Sequence, residues 1–168
     1  AVGITLNGSD VSQWADSSTN GIDMDQSTAS RQPAYSSGVL TFDGIDDCLL
    51  SSGQIDLSGD FVVGVKLTVN TVPGGTVLGD YDLNGEWMRF ISSTVLRILQ
   101  RNSGLVSFWW NGVLQADSET LADTINTDAI GIRKGDLQAW DGTMEEIQIY
   151  SSYSSDLVAN VLARLNSI

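Results

Sequence analysis

Gly38-Val39-Leu40-Thr41-Phe42-Asp43-Gly44-Ile45-Asp46-Asp47-Cys48-Leu49-Leu50 reads as strand, acidic turn, strand. Val39 and Thr41 point to one side, Leu40 and Phe42 to the other, and the pattern restarts at Cys48-Leu49-Leu50. Asp-Gly after an alternating strand marks a turn, because Gly takes a positive φ at no steric cost. Asp46 and Asp47 follow as closely spaced carboxylates, which a turn needs far less than a cation site does.

The same alternation recurs along the chain. Val2 to Leu6 reads as a first strand, and a polar excursion from Asn7 to Ser37 follows, pinned by Trp14, Ile22, Met24 and Tyr35. Phe61, Val63, Val65, Leu67 and Val69 alternate with Val62, Gly64, Lys66, Thr68 and Asn70, predicting an apolar inner face and an increasingly polar outer one. Pro73-Gly74-Gly75 turns the chain into Thr76 to Gly79. Strands are expected at Glu86 to Ile91, Thr94 to Gln100 and Leu105 to Trp110, the last reversed by Asn111-Gly112. Ala129 to Arg133 and Thr143 to Tyr150 bring the total to about ten at short spacing, the pattern of an antiparallel β-sandwich. One helix closes the chain: Ser154 or Ser155 caps it, Asp156 suits its positive end, and Leu157, Val158, Val161, Leu162 and Leu165 form one stripe. That stripe is expected on the sandwich or, if uncovered, against a second subunit in a homo-oligomer.

The 168 residues fit a single domain, 1–168, with a sizeable core. The net charge is −13, and the 17 Asp against 4 Glu place acid in turns, where Asp bonds nearby backbone. An acidic shell reads first as solubility, with calcium handling or exposure to salty water as sharper readings. Phosphate contacts need clustered Lys and Arg, which are missing, so nucleic acid is not an expected partner. No apolar run approaches the ~20 residues of a membrane span, so no membrane insertion is expected. There is no Lys/Arg-led signal segment, and a start at Ala1 without Met suits either a processed product or a piece of a longer polypeptide. Cys48 is the lone cysteine, in an apolar run, and is expected to be a buried, inert thiol. The chain has no His, which removes Ser-His and Cys-His nucleophilic chemistry. Glu145 and Glu146 are adjacent in an expected strand, so they point to opposite faces and cannot form a glycosidase pair.

Four stretches together resemble the laminin-G-like, concanavalin A-like jelly-roll modules. The opening run is similar to their FDGxDDxL turn, and Trp14-Ala15-Asp16-Ser17-Ser18-Thr19-Asn20-Gly21 to their W-x-D-x-S-G-N-G loop, with Thr19 where Gly is usual. Ser107 to Leu114 resembles their x-L-Y-V-N-G-V-L hairpin, and Trp140 to Tyr150 their closing strand, with Glu145-Glu146 in place of Asp-Glu. The resemblance implies a jelly-roll sandwich, a scaffold shared by lectins, glycosidases, adhesion modules and virion proteins. The Glu-x-Asp-x-x-Glu strand of its laminarinase-type members is absent, so a binding or structural role is expected and not an enzyme.

Asp16, Asp43, Asp46, Asp47 and Glu145 are hard oxygen donors within three of those stretches and form the candidate set for a structural Ca²⁺. The competing reading is that Asp16 and Asp43 cap their own turns and Glu145 pairs with an Arg. For ligands, Trp109 is the expected exposed platform, Trp110 sharing a side with Phe108 in the core, and Trp140 stands beside the loop Lys134 to Gln138. Arg97 and Arg101 share a strand face and suit an acidic sugar or a neighbour's carboxylate. The expectation is a non-catalytic module of a bacteriophage virion (tail fibre, spike or capsid decoration) on the virion surface or otherwise extracellular. Its partners would be a glycan, a host-surface receptor or neighbouring virion subunits. The alternative is a carbohydrate-binding module of a secreted bacterial enzyme or adhesin, with a glycoside-active enzyme third.

Overall fold

Alternating segments separated by turn residues become strands throughout. The computed structural model describes residues 3–71, 75–81, 86–89, 95–120, 124–133 and 138–168, and of 86–89, 95, 96 and 116–119 the backbone alone. The expected Pro73-Gly74 turn, the strand end at Ile91, Thr94 and the loop Lys134 to Leu137 lie outside the described residues. In chain order the strands are β1 (Ile4–Asn7), β2 (Asp10–Trp14), β3 (Met24–Asp25), β4 (Ala34–Ser36), β5 (Val39–Asp43), β6 (Leu49–Leu57) and β7 (Phe61–Val69). There follow β8 (Thr76–Gly79), β9 (Glu86–Arg89), β10 (Val95–Asn102), β11 (Leu105–Trp110), β12 (Val113–Thr120), β13 (Ile125–Ile130) and β14 (Asp141–Tyr150). Helix α1 (Ser155–Asn166) closes the chain. The architecture is mostly antiparallel β with one C-terminal helix, and no helix among the described residues is long and apolar enough to cross a membrane.

Two compact units divide the chain. The first comprises Ala1–Ile55, Thr68–Ser93 and Asn126–Thr143. Its strands run in the order β5-β4-β2-β3-β6-β13-β8-β9, with β1 on β2. The excursion from Asn7 to Ser37 is thus itself sheet: β2 pairs with β1, β3 and β4, aligning Trp14 with Met24 and Asp10 with Ala34. Its polar composition hid these strands because they are two to five residues long, too short for an alternation to show. In β5, Leu40 and Phe42 are buried while Thr41 and Asp43 are exposed, as the alternation requires.

The second unit comprises Asp56–Leu67, Thr94–Ile125 and Met144–Ile168, with strand order β12-β11-β10-β7-β14. Phe61, Val63, Val65 and Leu67 are buried, as expected of the inner face of β7. On the other face Val62 and Gly64 are buried because α1 lies there, with Val62 and Ile98 packed against Val158, Val161 and Leu165, while Lys66 and Thr68 are half-buried and Asn70 is exposed, as the increasingly polar pattern predicts. Gly64 lets α1 sit there, since a Cβ on it would stand 2.3 Å from Val161 Cγ1. The Ser154 hydroxyl accepts from the Leu157 N–H at 3.0 Å, with Asp156 in the first turn and Arg164 in the last. A helix of this length is marginal alone, so the three buried side chains, each contributing about 1.5–3 kcal/mol, hold it. The stripe is covered within its own unit.

Candidate functional site

The acidic turn stands where β5 leaves the core. Gly44 has φ +75°, and a Cβ on it would come 2.7 Å from Asp141 Cβ, so glycine is required both by the turn and by its neighbour. Asp43 Oδ1 accepts from the backbone N–H groups of Ile45 at 2.8 Å, Asp46 at 3.3 Å and Asp47 at 3.5 Å. In return the Asp43 N–H donates to Asp47 Oδ2 at 3.0 Å. Arg31 Nε donates to the Asp46 carbonyl at 3.2 Å and stands 3.9 Å from Asp46 Oδ2. One oxygen from each of Asp43, Asp46 and Asp47 lies within 4.8 Å of the others. Asp47 is only 7% exposed, and that burial, reinforced by the charge on Asp43, pushes its carboxyl up to about 6. Asp47 can therefore take up a proton at a pH well above the usual carboxylate range.

Beneath the turn is a support that the sequence did not advertise. Gln26 Nε2 donates to the carbonyl of Cys48 at 3.2 Å and to its Sγ at 3.1 Å, and Gln32 Nε2 donates to the Gln26 carbonyl at 2.6 Å. The Cys48 N–H donates to Arg31 O at 3.0 Å. Both glutamines are buried in a segment that reads as polar loop, so composition alone gave no signal for them. Cys48 is buried, as its apolar surroundings predict.

Asp16 and Glu145 lie outside this group. Asp16 accepts from the Ser18 hydroxyl at 2.6 Å, the Ser18 N–H at 2.7 Å and the Ile22 N–H at 3.2 Å. The Ser18 hydroxyl is the main cause holding its carboxyl below the usual range, so Asp16 serves its own turn. Glu145 pairs with Lys66 at 3.1 Å, and Glu146 with Arg164 at 2.6 Å. Glu145, its side chain 32% exposed, is thus met by a lysine and not by the expected arginine or ion.

Two of the four expected ligand contacts are core residues. Trp140 has 0% exposure and its ring centroid lies 5.0 Å from that of Phe42, so it is no platform. Arg101 is 2% exposed, donates to the Leu57 and Gly59 carbonyls and lies over the Phe61 ring. It braces the backbone instead of meeting solvent. The side chains of β11 also depart from the expectation, Trp109 and Trp110 both being half-buried. Trp109 Nε1 donates to Gln100 Oε1 at 2.9 Å and its ring packs against the helix cluster, because α1 covers that side. Phe108, expected in the core, is 45% exposed, and Trp110 carries the Arg97 guanidinium 3.9 Å from its ring centroid. No protein-family model and no curated protein matches the chain.

Proposed function

We propose that the protein is a non-catalytic binding module built as a concanavalin A-like jelly-roll sandwich. It would serve on a virion surface or outside a cell, engaging a glycan, a host-surface receptor or a neighbouring virion subunit. The observation that carries the reading is how the acids and apolar groups are disposed. Glu145 and Glu146 are each held by a cation, on a chain without His, whereas Phe108, Val113 and Leu114 stand exposed on one hairpin. A glycosidase of the paired-acid kind needs two free carboxylates facing one bond, while apolar groups standing in water suit a binding surface. The mostly antiparallel strands support the sandwich, and the sequence resemblance supports the bacteriophage assignment over a carbohydrate-binding module of a secreted enzyme or adhesin.

Structural Ca²⁺ belongs to the proposal, held by Asp43, Asp46 and Asp47. The donor set fits: three carboxylates converge, their charges are crowded, and hard oxygens are what Ca²⁺ takes. The deciding experiment screens the protein on a glycan array and on host-cell envelopes beside a native mass measurement. Ligand capture without turnover is the expected result. New reducing ends or unsaturated products from β-glucan, alginate, xylan or chitin would overturn the non-catalytic reading.

A further inference from the structure

Asn-Gly pairs are where a protein chain most readily attacks itself, because glycine leaves the nitrogen after the asparagine unshielded. The chain has four, of which Asn84-Gly85 lies outside the described residues. The other three, Asn7-Gly8, Asn20-Gly21 and Asn111-Gly112, are all exposed, so exposure does not separate them. Attack requires the glycine nitrogen to swing onto the side-chain Cγ of the asparagine before it. That motion asks for a loose backbone and an untethered side-chain amide.

Two of the three are held against it. Asn7 closes β1, aligned with Asp10 of β2, and its Nδ2 donates to Oε1 of the buried Gln32 at 3.0 Å. Asn111 and Gly112 are the central residues of the turn between the aligned Trp110 and Val113, with φ +50° and +77°. Two positive φ values mark the mirror-image hairpin turn, whose first ψ of about +30° points the Gly112 nitrogen away from the Asn111 side chain. Reaching Cγ there means opening the hairpin end. Asn20 stands in the stretch 15–23, which belongs to no strand or helix, and its side chain makes no hydrogen bond among the described residues. Its own N–H donates to Ser18 Oγ at 3.1 Å, and the Gly21 N–H donates to the Asp16 carboxylate. Asp16 also accepts from Ser18 and Ile22, so one carboxylate is the clasp of this loop. Hydrogen bonds to side chains hold Asn20-Gly21 where strand ladders hold the other two pairs, and such a segment opens most easily.

We propose that Asn20-Gly21 is a site of spontaneous deamidation, with the Asp16 carboxylate restraining the rate by holding the Gly21 N–H. The Gly21 nitrogen gives up its proton to solvent and bonds to Asn20 Cγ. The Cγ–Nδ2 bond breaks, and Nδ2 takes a proton from water and leaves as ammonia. The five-membered imide then takes up one water, which opens it at either carbonyl to an aspartate or an isoaspartate, and nothing is oxidised or reduced. The product adds a negative charge beside the Asp16 clasp, and the isoaspartate form lengthens the main chain of the loop by one carbon.

Peptide mapping by mass spectrometry, on the folded protein held warm at pH 8, tests it. The Asn20 peptide should gain one mass unit and split into aspartate and isoaspartate forms about tenfold faster than the Asn7 and Asn111 peptides change. Asn20→Gln should abolish the gain at that position, because the longer side chain would have to close a six-membered ring. Asp16→Asn should speed the reaction at Asn20 severalfold and leave Asn7 and Asn111 at their former rates, which serve as internal controls for folding. Ser18→Ala, which removes the hydroxyl bonded to both Asp16 and the Asn20 N–H, should have the same selective effect. A gain that appears first at Asn7 or Asn111, or an Asn20 peptide no faster than those two, would overturn the site. An unchanged rate at Asn20 in both variants would overturn the restraint by Asp16.

Discussion

Asp47 offers the most direct test of the acidic turn. Burial first, and the Asp43 charge next, push its carboxyl from the usual 3.8 up to about 6. A raised folded value means that the native state binds the proton more tightly than the unfolded chain. The stability so contributed is fully present below 3.8 and is lost as the pH rises through about 6. Between pH 8 and pH 5, in EDTA, proton uptake at Asp47 should favour folding roughly tenfold, or about 1.4 kcal/mol. For a domain of this size that is a rise of about 3–6 °C in Tm. Acidification also relaxes the repulsion among the other acids, so the comparison must be with Asp47→Asn. The amide keeps an oxygen that can accept the Asp43 N–H and carries no charge at any pH. The variant should be the more stable protein at pH 8, and its advantage should shrink by about 1.4 kcal/mol at pH 5. Chemical denaturation at half-unit pH steps measures the gap, and the ¹³C carboxyl shift of Asp47 reports its titration directly. A gap that does not change with pH, or a carboxyl that titrates near 4, would refute the buried-charge argument.

Four further outcomes follow from the same geometry. Millimolar CaCl₂ against EDTA, at fixed ionic strength, should raise Tm by about 5–10 °C if free Ca²⁺ is a hundredfold above Kd. Asp43→Asn should shrink that shift and Asp25→Asn, exposed on β3, should not; equal melts with and without calcium would leave Asp43 as a turn cap only. Gly64→Ala should cost about 1–3 kcal/mol in urea unfolding, because its Cβ meets Val161 Cγ1; a neutral outcome would mean that α1 is not seated on β7. Arg101→Leu should cost about 1–3 kcal/mol by orphaning the buried Leu57 carbonyl, and an unchanged denaturation midpoint would show that the carbonyl finds another donor.

The sequence by itself determined what depends on neighbours along the chain. Alternation placed Leu40 and Phe42 inside and Thr41 outside, Asp43-Gly44 set the turn, and a cap at Ser154 or Ser155 with the apolar stripe set the helix and its buried side. The cluster of Asp43, Asp46 and Asp47 was legible for the same reason, since all three sit within one five-residue turn. What required tertiary structure was which of two faces another element would cover. Alternation says that Trp109 and Trp110 point apart, but only the seat of α1 decides that Trp109 is half-buried, while Phe108 on the other face is exposed. Lys66 meets Glu145, and Arg101 meets the Leu57 carbonyl, across separations that no local pattern encodes. Trp140 looked like a platform beside a loop and proved to be core because Phe42, nearly a hundred residues earlier, stacks against it. Periodicity assigns side chains to faces, and burial of those faces is decided by pairing between distant strands and by the docking of α1.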